Sequence, residues 1–202
     1  MAMGKVIANM SMSLDGFIAG PQDDVSQLFK WYFSGTTDIE VQGGNMVLKV
    51  SPESAVLLEE AISMTGAMVA GRRMFDLAGG WGGRPPFEPC FIVTHSVPQE
   101  WVKEGSPFTF VTDGVESAVE QAKVAAGEKN VAVATATTMQ QCVKAGLLDE
   151  IHVDLVPVLL GDGIRFFDNL GPEPLELETI RVVEAPGVTH LGFRVVKQVK
   201  QA

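Results

Sequence analysis

The chain has 202 residues, 46% of them hydrophobic, which is enough to build a substantial core and excludes a disordered protein. Its net charge of −10 excludes sequence-independent binding of DNA or RNA, which needs a basic surface, but leaves room for one anionic ligand in a local basic pocket. No stretch reads as a signal peptide or a membrane span, so the expected setting is the cytoplasm, with no membrane partner. The length points to a single domain over 1–202.

Residues 5–10 read as a first strand, and 11–21 as a polar, glycine-bearing loop. Residues 23–33 are patterned as a helix, with Val25, Leu28, Phe29 and Tyr32 on one side. Residues 34–50, with Gly35, Gly43 and Gly44, are poorly patterned and read as a loop or flap. Ser51-Pro52 then starts a helix, since serine caps and proline suits the first helical position. Val56, Leu57, Ala61 and Met64 are its expected buried side. Strand 67–70, helix 72–78, strands 90–94 and 108–111, helix 115–126, strand 130–134, helix 137–145 and strand 149–156 follow. This order predicts an α/β domain with a largely parallel sheet. Segments 175–184 and 188–197 flank Ala185-Pro186-Gly187 and read as a terminal antiparallel hairpin. No repeat or linker divides the chain. Cys90 and Cys142 show neither metal nor redox spacing and read as buried free thiols of a reducing compartment.

The most informative stretch runs from Ala67 to Asp76. An apolar strand meets Gly71, then Arg72 and Arg73, then a short helix. Such a junction aims free backbone N–H groups at whatever lies above it. Two arginines there add fork-shaped donors suited to phosphate. The pair opposes the acidic background and reads as a clamp for a phosphorylated dinucleotide, the alternative being a helix start with solvated arginines.

Four stretches together resemble the dihydrofolate-reductase-like family that includes the C-terminal reductase domain of the riboflavin-pathway deaminase/reductase. They are Ser13-Leu14-Asp15-Gly16, Gly71-Arg72-Arg73, Val93-Thr94-His95-Ser96, and Ala145-Gly146-Leu147-Leu148-Asp149-Glu150 leading into Val156-Pro157-Val158-Leu159-Leu160-Gly161. The likeness spans nearly the whole chain. It implies a three-layer fold with a mostly parallel central sheet and a C-terminal antiparallel hairpin. It also implies NADPH as cofactor, hydride transfer to a pterin- or pyrimidine-like substrate, and pairing of protomers into a homodimer. The zinc deaminase half is absent from this sequence: none of His95, His152 and His190 is followed by x-Glu, and Pro89-Cys90 has no partner cysteine.

By that resemblance, Gly71, Arg72, Arg73 and Met74 lie under the cofactor phosphates. Thr94, His95 and Ser96 face the adenosine side and its 2′-phosphate, the alternative being plain turn chemistry. Ile18, Ala19 and Gly20 lie near the nicotinamide. Asp15 either contacts substrate or orders the loop as a turn residue. Asp24 is a candidate for the substrate-orienting carboxylate, the alternative being a helix cap. Trp31, with Tyr32 and Phe33, forms either an aromatic wall for a flat substrate or core. The segment from Gly79 to Pro86 is a lid or a long loop, and Arg165 reaches a substrate phosphate or serves structure.

The main departure from the family is at Ala134-Thr135, where relatives carry a Gly-Gly pair that lets the backbone approach the pyrophosphate. Either Thr135, Thr137 and Thr138 compensate with hydroxyl donors beside Ala136 at a helix start, or cofactor affinity is weakened. The residues therefore leave three functions open: an NADPH-dependent reductase, a nucleotide- or ligand-binding protein on a reductase-like fold, or a purely structural dimeric domain.

Overall fold

The computed structural model describes residues 4–41 and 46–196. Its first strand β1 (Val6–Ser13) runs three residues beyond the expected one and, after a tight turn, meets the short strand β2 (Phe17–Ala19). The hairpin β3 (Thr37–Val41) and β4 (Met46–Val50) precedes helix α1 (Pro52–Met64). Then come β5 (Thr65–Gly71), α2 (Arg72–Leu77), β6 (Cys90–Val93), β7 (Phe108–Val111), α3 (Val115–Ala126), β8 (Asn130–Ala134) and α4 (Ala136–Lys144). The chain closes with β9 (Glu150–Val156), β10 (Ile164–Arg165), β11 (Leu177–Ala185) and β12 (Val188–Val195).

Eight strands form one sheet in the order β11-β12-β9-β1-β8-β5-β6-β7. The strands from β9 to β7 pair in parallel, and β12 joins β9 antiparallel, with β11 folded back on it. The expected α/β class, parallel sheet and terminal hairpin are all present.

The parallel strands alternate their side chains between two cores, as a sheet covered on both faces must. Val6 and Ala8 of β1, Val131 and Val133 of β8, and Ile151 and Val153 of β9 pack against Ala118, Val119 and Ala122 of α3 and Met139 of α4. A second core holds Leu28, Trp31, Ile39, Leu48, Val50 and Ala55. A third gathers around Phe75, whose ring meets Trp101 and Phe108 edge-on at 5.1 Å each. Cys90 and Cys142 are buried free thiols, pushed up to about 12 by loss of solvation, as expected of inert core cysteines.

Three expectations fail. Residues 23–33 are not one helix: only 3-10 turns at Pro21–Asp23 and Lys30–Phe33 form, and Gln22 and Asp23 take φ of 60° and 62°. The Asp24 carboxylate accepts from the Ser26 N–H at 2.9 Å, a local side-chain bond that competes with helix formation. Residues 34–50 contain the β3–β4 hairpin instead of a loop. Ile39 and Leu48 face each other in register and both are buried, so a short period-two pattern sufficed. Gly43 and Gly44, counted in that loop, lie outside the described residues.

Helix α1 starts as expected, with Ser51 Oγ accepting from the Ser54 N–H, but its buried side is rotated. Ser54 and Ala55 are buried, whereas Val56 and Met64 are exposed.

Candidate functional site

Four strand ends open into one cleft of roughly 1320 Å³. β5 passes into α2 at Gly71, β6 into the turn 94–96, β7 into α3 across 112–115, and β8 into α4 at Thr135. The cleft lies outside the carboxyl ends of parallel strands, where open α/β sheets take ligands. From β1 to β7 it crosses four strand spacings, roughly 19 Å. Ala19, Gly71, Arg72, Arg73, Met74, Thr94, His95, Ser96, Thr135, Ala136, Thr137 and Thr138 all line it. Residues scattered over 120 positions of sequence are thus brought together.

Both arginines are oriented by protein partners. The Arg72 Nε donates to Asp76 Oδ1 at 2.7 Å, one helical turn on, and its Nη1 donates to the Ser96 carbonyl at 3.0 Å. This ties the start of α2 to the turn after β6. Arg73 instead crosses to Asp23, where Nε and Nη2 donate to the carboxylate at 2.8–3.1 Å. Thr94 is buried and spends its hydroxyl on the Ser96 carbonyl at 2.8 Å, while His95 and Ser96 are exposed. Thr94 therefore shapes the turn, and the neighbouring side chains face the cleft.

The Ala134-Thr135 departure resolves into one residue. Ala134 ends β8 in ordinary strand geometry. Thr135 takes φ 84° and ψ 149°, a conformation that is almost the preserve of glycine and costs roughly 1–3 kcal/mol in other residues. The backbone takes a glycine-type turn with a threonine in it. Thr135 Oγ1 donates to Thr138 Oγ1 at 3.0 Å, so the two hydroxyls are coupled. Facing them is Gly71, where a Cβ would stand 3.1 Å from Thr138 Oγ1 and 3.2 Å from Thr135 Oγ1. Glycine at 71 is what lets the ends of β5 and β8 approach here. These residues fit a nucleotide phosphate: positive side chains, hydroxyls and the N-terminus of α4 converge on a space that an added methyl group would intrude upon.

Four candidates stand apart from the cleft lining. Asp15 accepts from Ser13 Oγ at 2.6 Å and from the N–H groups of Leu160 and Gly161 at 3.1 and 2.7 Å. The Ser13 bond first, with help from those two amides, holds its carboxyl at about 2. This is a loop clasp. Asp24 is exposed and spends an oxygen on Ser26. Trp31 is 2% exposed and donates from Nε1 to Ser11 Oγ at 3.2 Å, so it belongs to the core. Arg165 lies over the Phe17 ring at 4.4 Å and donates to the Asp15 carbonyl, a structural placement. The 79–86 segment packs Trp81 stacked against Phe108 at 6.3 Å and turns Trp81 toward the cleft.

Sequence reasoning missed part of the lining. Thr112, Gly114 and Glu116 enter at the start of α3, and Gln141 and Lys144 from the far half of α4. The strand–helix junction at 111–115 was visible in the sequence and had the same form as Gly71-Arg72. Phe29 and Val25, not Trp31, supply the apolar wall.

The fold and this cleft together define an α/β domain of the dihydrofolate-reductase-like type. Residues 81–191 match the family model of the RibD C-terminal domain, and the chain belongs to that family. It is similar to a protein provisionally assigned to riboflavin biosynthesis from Shewanella sp. PV-4, with a TM-score of 0.74 and 19% identity over 96% of this chain and 99% of that one. It also resembles the diaminohydroxyphosphoribosylaminopyrimidine deaminase/5-amino-6-(5-phosphoribosylamino)uracil reductase of Thermotoga maritima (TM-score 0.65, 11% identity), covering 96% of this chain and 57% of that one. Dihydrofolate reductase from Enterococcus faecalis, complexed with NADP(H), matches with a TM-score of 0.57 and 15% identity over 96% of this chain and 98% of that one. At these identities the structural likeness is one of fold. No curated protein sequence matches the chain. No helix among the described residues is long and apolar enough to cross a membrane.

Proposed function

We propose that the chain is an NADPH-dependent reductase of a small pterin- or pyrimidine-like heterocycle. The observation that carries this reading is the convergence of Arg72, Arg73, the 94–96 turn and the Thr135–Thr138 corner on one cleft with Gly71 at its floor. NADPH, when bound, supplies the hydride. Arg72 and Arg73 hold phosphate oxygens, and His95 and Ser96 meet the 2′-phosphate that separates NADPH from NADH. The Thr137 and Thr138 hydroxyls and the first-turn amides of α4 receive the pyrophosphate. Ala19 and Ile18 stand at the nicotinamide end, and Met10, Val25 and Phe29 give a substrate an apolar wall. Asp15 acts on the loop: by holding the Leu160 and Gly161 amides it fixes the segment that presents Ile18 and Ala19. The residues act mainly by positioning, and water delivers the accompanying proton.

The same reading sets the protein in the cytoplasm as a homodimer. The free edge strand β11, which exposes Leu177, Ile180 and Val182, supports a protein contact there. A second reading, nucleotide binding without turnover, is favoured by the placement of Asp15 and Asp24 outside the cleft lining. NADPH oxidation measured across a panel of pterins and aminopyrimidines separates the two. Oxidation with any member supports the reductase; tight NADPH binding with no oxidation supports the second reading.

A further inference from the structure

A second cavity, of about 300 Å³, lies under α1 and shares no lining residue with the cleft. Its roof carries Leu57, Leu58, Ala61 and Met64, together with Glu60, which is ion-paired to Arg181 of β11 at 2.9 Å. Its floor is the sheet, where polar side chains stand among Ile7, Ala132 and Leu191. β1 is a central parallel strand, which ordinarily carries apolar residues on both faces. Yet Asn9, in the middle of β1, is exposed toward this cavity, and its side chain has no hydrogen-bond partner among the described residues.

The strand register explains the floor. Asn9 pairs with His152, and His152 with Gly192, so these three form one row across β1, β9 and β12. Gly192 contributes no side chain, and the row stays low. The next row holds Ser11, Asp154 and His190. Asp154 gives one carboxylate oxygen to His190 Nδ1 at 2.7 Å, and His190 Nε2 meets Ser54 Oγ at 2.8 Å. The other Asp154 oxygen has no hydrogen-bond partner among the described residues and remains an acceptor. Below, Glu150 is fully engaged, by Lys5 Nζ at 2.5 Å and His152 Nε2 at 3.0 Å. Lys5 keeps further N–H donors, and Asn130, whose Oδ1 accepts from the Lys5 N–H, keeps its amide donors. One end of the floor therefore accepts hydrogen bonds, the other donates them with the Lys5 charge balanced by Glu150, and Asn9 between them does both.

The two cavities are walled apart by rings in contact. Phe29 of the cleft meets Tyr32 edge-on at 5.3 Å, Tyr32 stacks on Trp31 at 4.0 Å, and Trp31 meets His190 of the second cavity at 5.1 Å. A molecule under α1 is thus screened from the cleft.

We propose that this cavity is a binding site for a small planar nitrogen heterocycle bearing an amino group at one end and a hydrogen-bond-accepting group at the other. The amino edge donates to Asp154 and Asn9, the accepting end meets Lys5 and Asn130, and one ring face lies on the Leu57, Leu58 and Ala61 side chains of α1. The site does not rest on the hydride-transfer reading, since it shares nothing with the cleft.

Pterin-6-carboxylate has this shape and tests the idea by its own fluorescence, titrated into the full chain with and without saturating NADPH. Binding is expected in both conditions. Asn9→Leu and Ala61→Trp are each expected to weaken it by about tenfold or more while leaving NADPH binding unchanged. Asn9 is exposed, so its replacement keeps the test valid if Ala61→Trp fails to fold. Three results overturn the proposal: no binding at about 1 mM probe, affinity unchanged in the folded variants, or displacement of the probe by NADPH, which places it in the cleft.

Discussion

Arg73 and Asp23, fifty residues apart in sequence, form a two-pronged ion pair between the start of α2 and the turn after β2, and both line the cleft. Arg73 is exposed and available to a ligand, but a phosphate there must share it with Asp23 or displace it. Asp23→Asn removes the competing charge and keeps a residue type that tolerates the left-handed φ of 62°. Exposed ion pairs are worth roughly 0.2–1 kcal/mol, so NADPH affinity should rise about 1.5- to 5-fold. Arg73→Ala should weaken it by about tenfold or more, since charge-assisted bonds contribute roughly 1.5–3 kcal/mol. Isothermal titration of both variants checks the opposite signs.

Thr135 holds a glycine-type conformation with a β-branched side chain. Thr135→Gly should relieve about 1–3 kcal/mol of strain, less about 0.5–1 kcal/mol for glycine's extra chain entropy and the loss of the bond to Thr138. A net gain of about 1 kcal/mol corresponds to a Tm rise of roughly 2–4 °C. Thr135→Ala keeps the strain and should show no such rise, a contrast that thermal denaturation reads directly.

Gly71→Ala places a methyl group 3.1–3.2 Å from the hydroxyls of Thr138 and Thr135. The expected outcome is a folded protein with weaker NADPH binding, and Thr135→Gly in the same chain should restore part of the affinity by removing one of the two hydroxyls. Recovery in the double variant is the result to measure.

The Asp15 clasp makes a pH prediction. Its carboxyl is lowered from the usual 3.8 to about 2, mainly by Ser13. A lowered carboxyl contributes stability above its unfolded value, and that contribution is lost as pH falls through the folded one. The Tm gap between the natural protein and Asp15→Asn should be widest near neutrality and shrink as pH falls from 3.8 toward 2.

The Ser54–His190–Asp154 relay ties α1 to the sheet in a buried setting. Ser54→Ala leaves a buried imidazole nitrogen without its partner and should cost about 1–3 kcal/mol in urea denaturation. NADPH affinity should not change, because none of the three residues lines the cleft.

The regular alternation from β5 to β9 was readable in the sequence because long apolar periods and strand–glycine–helix junctions are local signals. So was the cleft's Gly71-Arg72-Arg73 corner. The 23–33 segment misled because its apolar spacing is helical, while Asp24 and the two left-handed residues Gln22 and Asp23 set a different backbone. The β3–β4 hairpin is short, and its alternation is weak outside Ile39, Leu48 and Val50. Pairings such as Arg73 with Asp23, or Asp154 with His190 and Ser54, join residues 36 to 136 positions apart and exist only once the sheet order is set. Nothing local marks Asn9 off from an ordinary strand residue, because only the register with His152 and Gly192 reveals the cavity above it.

The cleft is proposed to receive NADPH through its arginines and its 94–96 turn. Thermal unfolding of the natural protein with NADPH, with NADH and with neither tests it most directly, alongside Arg72→Ala. Ligand at about 100 times its dissociation constant should add roughly 2.7 kcal/mol of stability. A clear rise in Tm with NADPH, a smaller one with NADH, and loss of the difference in Arg72→Ala is the predicted result. No shift with either nucleotide at about 1 mM, or an NADPH shift untouched by Arg72→Ala, would contradict it.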